Sequence, residues 1–328
     1  MSFSLTDIRQ ARTSLGEDVK RTPVTTWKSM EKDRLLSAST SVFVKLELFQ
    51  HGGSFKARGA LLNMMHLSQE ELQRGVTAVS AGNHAIAVGY AAKVMGSSAK
   101  VVMPSNANKA RVDLCRALGA EVVLMDNVTE AFAEVQRIQK EEGRFFVHPF
   151  DGRDTTLGTS TCGLEFHEQV GKLDALIIPV GGGGLAAGIS RAFHLLNPEC
   201  RVFGVEPVGA DTMYRSFQTG TTQTLDKVRT IADSLGAPFS MEYSMKLCRD
   251  HMERIVLVDD EALITTMALM FSELKLAVEP ACAAALAALL GPLKEELIGR
   301  RVGLIACGAN IDPDTYMNLI QKKSAFFS

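Results

Sequence analysis

Apolar and polar positions follow two rhythms along this chain, and the switches between them mark out its elements. Leu5, Ile8, Ala11 and Leu15 recur at spacings of three and four, which predicts an amphipathic helix over 5–17. Val42-Phe43-Val44-Lys45-Leu46-Glu47-Leu48 alternates at every second residue like a half-buried strand, and His51-Gly52-Gly53 breaks it. Ser54 is then placed to cap a helix running through Leu61 to Met65. Onward to residue 125 the pattern repeats helix and short β-rich run. Strands are predicted over Val76–Ser80, Lys100–Met103 and Glu121–Met125, with helices near 83–95 and 107–118 between them.

A further helix carries Val128, Phe132, Val135 and Ile138 on one side, after which Phe145-Phe146-Val147-His148-Pro149 leaves this region. A second run follows: strand Leu173–Val180, helix 184–196, strands Val202–Glu206 and Ile255–Val258, two helices over 260–290, and strand Val302–Ala306. Such alternation implies βαβ units and parallel sheets covered by helices. The expected fold class is α/β, with two open, mostly parallel sheets flanked by helices. A small domain, residues 50–147, is inserted into a large one made of 1–49 and 148–328. The stretch 207–250 has no clear period and receives no element.

A chain of 328 residues exceeds a comfortable single core, which agrees with two lobes. Its formal net charge of -2 leaves no basic field for nucleic acid, so small anionic ligands must be held by local features. No apolar run approaches the roughly 18 residues of a membrane span, and Met1-Ser2-Phe3-Ser4-Leu5-Thr6-Asp7 lacks a signal peptide's basic and apolar segments. No membrane association and a cytoplasmic location are expected. The cysteines at 115, 162, 200, 248, 282 and 307 form no CxxC pair and the histidines no HxxxH pattern, so free thiols and no zinc are expected.

Ligands of open parallel sheets collect where strands end at their carboxyl side, and the loops there are unusual. After the 42–48 strand, Ser54-Phe55-Lys56-Ala57-Arg58-Gly59-Ala60 puts a lysine in the first turn of a helix. Burial, cationic neighbours and the positive helix end all disfavour an ammonium, so Lys56 is the candidate nucleophile toward a carbonyl. Pro179-Val180-Gly181-Gly182-Gly183-Gly184-Leu185 ends a strand and opens a helix, so backbone N–H groups can converge on a phosphate. Ser80-Ala81-Gly82-Asn83-His84 is a second strand-to-helix turn whose amides suit a carboxylate. Cys307 in Ala306-Cys307-Gly308-Ala309-Asn310 offers a weak, neutral donor. Taken singly, each has a structural reading too: a solvated helix lysine, a flexible turn, a cap with an ordinary buried histidine, a small core thiol.

Together with Glu279-Pro280 and its alanine-rich helix, these segments resemble the serine/threonine dehydratase family of fold-type II pyridoxal-phosphate enzymes, in order and spacing from about residue 20 to 312. The resemblance implies pyridoxal 5'-phosphate as cofactor, with Lys56 as its Schiff-base lysine and Gly181, Gly182, Gly183, Gly184 and Leu185 around its phosphate. It also implies that Asn83 meets the phenolic oxygen of the ring, Phe55 covers one ring face, Glu279 belongs to the cofactor site and Cys307 meets the pyridine nitrogen. Ser80, Ala81, Gly82, Asn83 and His84 are implied to seat the substrate carboxylate. A neutral partner for the ring nitrogen favours prompt loss of a β-substituent, so the expected reaction is β-elimination from a β-hydroxy amino acid such as L-threonine or L-serine. The products are a 2-oxo acid and ammonia.

Where racemases of the family carry a hydroxyl residue this chain has Ala81, which demotes racemisation. Gly158-Thr159-Ser160-Thr161 and Ala232-Asp233-Ser234 depart from segments common among relatives, and this leaves 3-hydroxyaspartate or a bulkier β-hydroxy amino acid open as substrate. Arg153, Arg229 and Tyr243 are candidates for the pocket rim. Glu206, the Ala210 carbonyl and Thr212 fall where relatives bind a structural divalent cation, magnesium or calcium. A homodimer is expected, and feedback inhibition through a C-terminal regulatory domain is not. Gly-rich 181–184 followed by Glu206 superficially suits a dinucleotide oxidoreductase, but GGGGL is not GxGxxG. A non-catalytic amino-acid binder is opposed by the intact Lys56.

Overall fold

Ten strands form two sheets in the computed structural model, which describes residues 3–126 and 128–321; Met1, Ser2 and the Val128 side chain lie outside the described residues. The strands are β1 (Val24–Trp27), β2 (Ser41–Leu46), β3 (Val76–Val79), β4 (Ala99–Pro104), β5 (Glu121–Met125), β6 (Phe145–Phe146), β7 (Ala175–Pro179), β8 (Arg201–Pro207), β9 (Arg254–Val258) and β10 (Arg301–Ala306). The larger sheet runs β1-β2-β10-β7-β8-β9 and the smaller β5-β4-β3-β6. Every pairing is parallel except β1 with β2. The continuous apolar strands β7 and β10 are sandwiched between helices, as buried parallel strands require.

β1 carries no clean alternation and was not expected; its strand forms because Val24 to Trp27 pair in register with Lys45 to Val42. Another unexpected element is larger. Helix Arg153–Val170 is buried continuously from Thr155 to Phe166, packed between helix Lys56–Met65 and helix Gly184–Leu196. Its Gly, Thr and Ser residues are poor helix formers, so local propensity conceals it. They are what close packing demands. A Cβ at Gly158 would sit 2.5 Å from the Arg58 carbonyl, and one at Gly188 2.1 Å from Thr159 Oγ1. The buried hydroxyls donate within their own helix, Ser160 to the Leu157 carbonyl and Thr161 to that of Gly158, both at 2.6 Å. Segment 207–250 supplies helices Thr212–Thr219 and Glu242–His251. No helix among the described residues is long and apolar enough to cross a membrane.

Candidate active site

β2, β10 and β7 are neighbours in the larger sheet, so the chain segments that follow them emerge side by side. Those segments are the Lys56 turn, the Cys307 turn and the glycine loop. Ser54, expected to cap the Lys56 helix, instead lies in extended backbone and bridges Gly308; Phe55 takes the N-cap position without a side-chain bond. Backbone pairing decides this: the Phe55 N–H donates to the Cys307 carbonyl at 3.1 Å and the Ala309 N–H to the Gly53 carbonyl at 3.0 Å. The Lys56 turn is thereby an extension of β10.

Two residues along, Arg58 holds the helix in place. Fully buried, it donates to both oxygens of Glu47 (2.7 and 2.8 Å) and both of Glu165 (3.0 and 2.7 Å), joining β2 to the Arg153–Val170 helix. Burial alone would neutralise Glu47, but the Arg58 charge and hydrogen bonds hold it below the usual carboxylate range.

Lys56 Nζ donates to the Pro149 carbonyl and lies 5.2 Å from the centroid of the Phe55 ring. Burial lowers its pKa to about 8, against the opposing pull of Cys307 and Glu279. Nearby His84 and His148 are neutral: burial depresses them to about 3 and about 4, with the Lys56 charge contributing to both. His84 Nε2 pairs with the Val147 carbonyl at 2.8 Å, and His148 Nδ1 accepts from the Asp151 N–H at 2.9 Å. Cys307 also stays protonated, pushed up by the Cys282 thiol and by burial.

In the glycine loop Gly183 is the N-cap of helix Gly184–Leu196 with φ +92°, and no side chain caps the helix. Its first-turn N–H groups and the helix dipole are therefore aimed at an anion. A Cβ at Gly182 would stand 2.1 Å from the Phe150 ring, and one at Gly184 2.6 Å from the Phe150 carbonyl. Leu185 is buried directly behind.

From the smaller sheet, the turn after β3 reaches the same place. Ser80 Oγ accepts from the Gly82 N–H at 3.1 Å, and Ala81 is exposed. Asn83 donates to Glu279 at 2.7 Å and to Ser234 at 3.2 Å, while its oxygen accepts from Asn310 Nδ2 at 2.6 Å. Both amide hydrogens expected for the ring oxygen are thus spent on protein in this arrangement. Glu279 is buried and raised to about 7 by that burial, despite Arg111. Arg111 went unnoticed in the sequence because an amphipathic helix makes arginine read as solvated. It is buried, donating to the Asn310 carbonyl at 2.7 Å and to Asp233 at 2.5 Å.

Phe150, Phe239 and Phe132 went unnoticed too, having only hydrophobicity to show. Ring centroids of Phe150 and Phe239 are 5.8 Å apart, those of Phe239 and Phe132 5.6 Å, and His148 lies edge-on to Phe150 at 4.7 Å. Of the expected rim residues, Arg153 pairs with Asp154 and Asp7 at the surface, and the Arg229 N–H donates to the Gly209 carbonyl. Tyr243 hydrogen-bonds Thr156 beside the Phe150 segment. Two of the three residues expected to hold a cation make protein hydrogen bonds here. Glu206 spends its oxygens on the Met213 and Tyr214 N–H groups (3.1 and 2.6 Å), and Thr212 donates to the Ala237 carbonyl at 2.7 Å. Among the described residues no cluster of three His, Cys, Asp or Glu side chains forms a metal site.

An easily deprotonated amine beside an uncapped glycine cradle suits a phosphorylated aldehyde. The buried Ser54 Oγ, with no hydrogen-bond partner, adds a polar atom in want of one. The sequence comparison agrees: the chain belongs to the pyridoxal-phosphate-dependent enzymes, whose family model matches residues 16–308. Within that class it is an ammonia-lyase of the serine/threonine dehydratase type and fold type II, acting by β-elimination on a hydroxy amino acid. It is 53% identical to phenylserine dehydratase of Ralstonia pickettii, over 95% of this chain and 94% of that one. It is 37% identical to L-threo-3-hydroxyaspartate ammonia-lyase of Saccharomyces cerevisiae, over 97% and 96%. The structure of maize serine racemase superposes with a TM-score of 0.91 at 34% identity, covering 100% of this chain and 99% of that one.

Proposed function

We propose that this enzyme dehydrates and deaminates a β-hydroxy α-amino acid with a bulky, aromatic β-substituent, of the phenylserine kind, to a 2-oxo acid and ammonia. The carrying observation is Lys56: a part-buried amine with a pKa lowered to about 8, hydrogen-bonded to the Pro149 carbonyl next to the Phe150 ring that lies against the glycine loop. Pyridoxal phosphate, when bound, supplies an electron sink for charge developing at the substrate Cα. Lys56 then holds the cofactor, and its amine, once displaced by the substrate's, takes the Cα proton. As the Cβ–O bond breaks, hydroxide leaves with a proton as water, and the released enamine hydrolyses to the products. Gly181 to Leu185 hold the cofactor phosphate. Neutral His84, His148 and Cys307 keep a second cation or anion away from the amine. The Ser80–His84 turn seats the substrate carboxylate, and Ala81 has no hydroxyl for proton delivery to the opposite face, which speaks against racemisation.

The aromatic preference rests on the 53%-identical relative named for phenylserine. A 3-hydroxyaspartate would need a cation for its second carboxylate, yet Arg111 already serves Asp233 and Asn310. L-Serine and L-threonine are read as minor substrates. Glu206 is taken as the anchor of helix Thr212–Thr219, through the Met213 and Tyr214 N–H groups. The two sheets are taken as two lobes with the boundaries expected above, and the protein as a cytoplasmic homodimer. Borohydride reduction of the holoenzyme, followed by peptide mapping, should place the cofactor on residue 56. Ammonia release from a panel of β-hydroxy amino acids, lost in Lys56→Ala, tests the reaction; cofactor attached elsewhere, or undiminished turnover in the variant, rejects it.

A further inference from the structure

Phenylalanine rings that serve only the core are fully covered here, as Phe166 and Phe193 are, at 6.2 Å between centroids. The row beginning at Phe150 differs. Phe150 is nearly buried, but Phe239 and Phe132 at its far end remain half-exposed. The row starts one residue from Pro149, whose carbonyl accepts from Lys56, and the Phe150 ring lies against Gly182 of the glycine loop. From there it crosses between lobes: Phe239 precedes helix Glu242–His251 of the larger lobe, whereas Phe132 lies on helix Val128–Glu142 over the smaller sheet. Both ring pairs are tilted at 57°, so each ring leaves part of its face and edge free of the other. His148 beside them is neutral, and the one buried guanidinium near the turn, Arg111, is paired. An uncharged, partly uncovered aromatic wall spanning two lobes matches a neutral ring and not a second carboxylate.

We propose that Phe132 and Phe239 are specificity-determining residues that grip the aryl group of a β-aryl-β-hydroxy amino acid from opposite lobes. Phe150 fixes Phe239 against the glycine loop, so a ring held there places Cβ toward the cofactor phosphate site. This assignment rests on the elimination reading above and names the residues that select its substrate.

The test compares kcat/KM for β-phenylserine and for L-threonine in the wild-type holoenzyme, Phe132→Ala, Phe239→Ala and the milder Phe132→Leu. The ratio of the two values should fall roughly tenfold or more in each alanine variant and less in Phe132→Leu. Calorimetry gives a readout without turnover: L-phenylalanine should bind the wild-type holoenzyme more tightly than L-alanine, and both alanine variants should lose that preference. Parallel loss on both substrates, or an unchanged ratio, overturns the clamp while leaving the elimination reading intact. A wild-type enzyme that releases ammonia from neither compound overturns the elimination reading and the clamp with it.

Discussion

Lys56 and Arg58 stand two residues apart on one helix, both cations, Arg58 fully buried and Lys56 partly so, yet they have opposite fates. Arg58 is surrounded by the carboxylates of Glu47 and Glu165, and its charge is reinforced despite burial. Lys56 faces a carbonyl, a phenyl ring and neutral imidazoles, and burial moves it toward a free amine. Loss of water acts against the charge on each. What separates a structural cation from a reactive one is whether a carboxylate is supplied at hydrogen-bonding distance: Arg58 has two, while Lys56 feels Glu279 only without a bond to it.

Replacing each in turn should expose the contrast. Lys56→Met should lose turnover by roughly a hundredfold to ten-thousandfold while its melting temperature holds or rises, because only the Pro149 carbonyl loses a donor and no buried charge is orphaned; thermal unfolding alongside ammonia release checks both halves. Arg58→Met should do the reverse to stability, leaving Glu47 buried without its ion-pair partner and Glu165 with only Lys45 and Arg12, at a cost of about 3–5 kcal/mol. Denaturant unfolding measures that loss, and a variant as stable as wild type would dissolve the contrast. Gly182→Ala should weaken cofactor retention about tenfold or more, since the added Cβ must displace the Phe150 ring 2.1 Å away; dialysis against cofactor-free buffer reports it.

Finer effects concern pH. With its folded-state pKa depressed to about 8, the amine of Lys56 is free above that value. The apoenzyme should therefore take up pyridoxal phosphate faster as pH rises and level off above about 8, whereas an ordinary lysine would continue to about 10.4. Between these two values the unfolded chain binds the extra proton, so stability contributed through this group rises with pH across that window. Comparing wild type with Lys56→Met in the apo form isolates the term, and a flat difference across the window would place the amine in ordinary solvent.

Much of the larger pattern was legible because period and chemistry agree there. Apolar strands ending in turns of glycine, serine or cysteine announce both a parallel sheet and the ligand side of it, so Lys56, the 181–184 loop and Cys307 could be picked out together. The 153–170 helix could not, since its glycine, serine and threonine content suits close crossings and not local helix formation. Nor could Ser54, where a sound capping rule lost to a backbone ladder with Gly308. Arg111 and the row from Phe150 to Phe132 had no local signal at all.

By itself the chain's order of residues determined the sheet-helix rhythm, the lysine and the phosphate-sized gap without side chains, because these depend on near neighbours along the backbone. Tertiary structure alone decided which strands lie adjacent, which of two nearby cations gives up its proton more readily, and which rings meet between segments far apart in the chain. Those outcomes depend on distances between residues far apart in sequence, and on the water that packing removes.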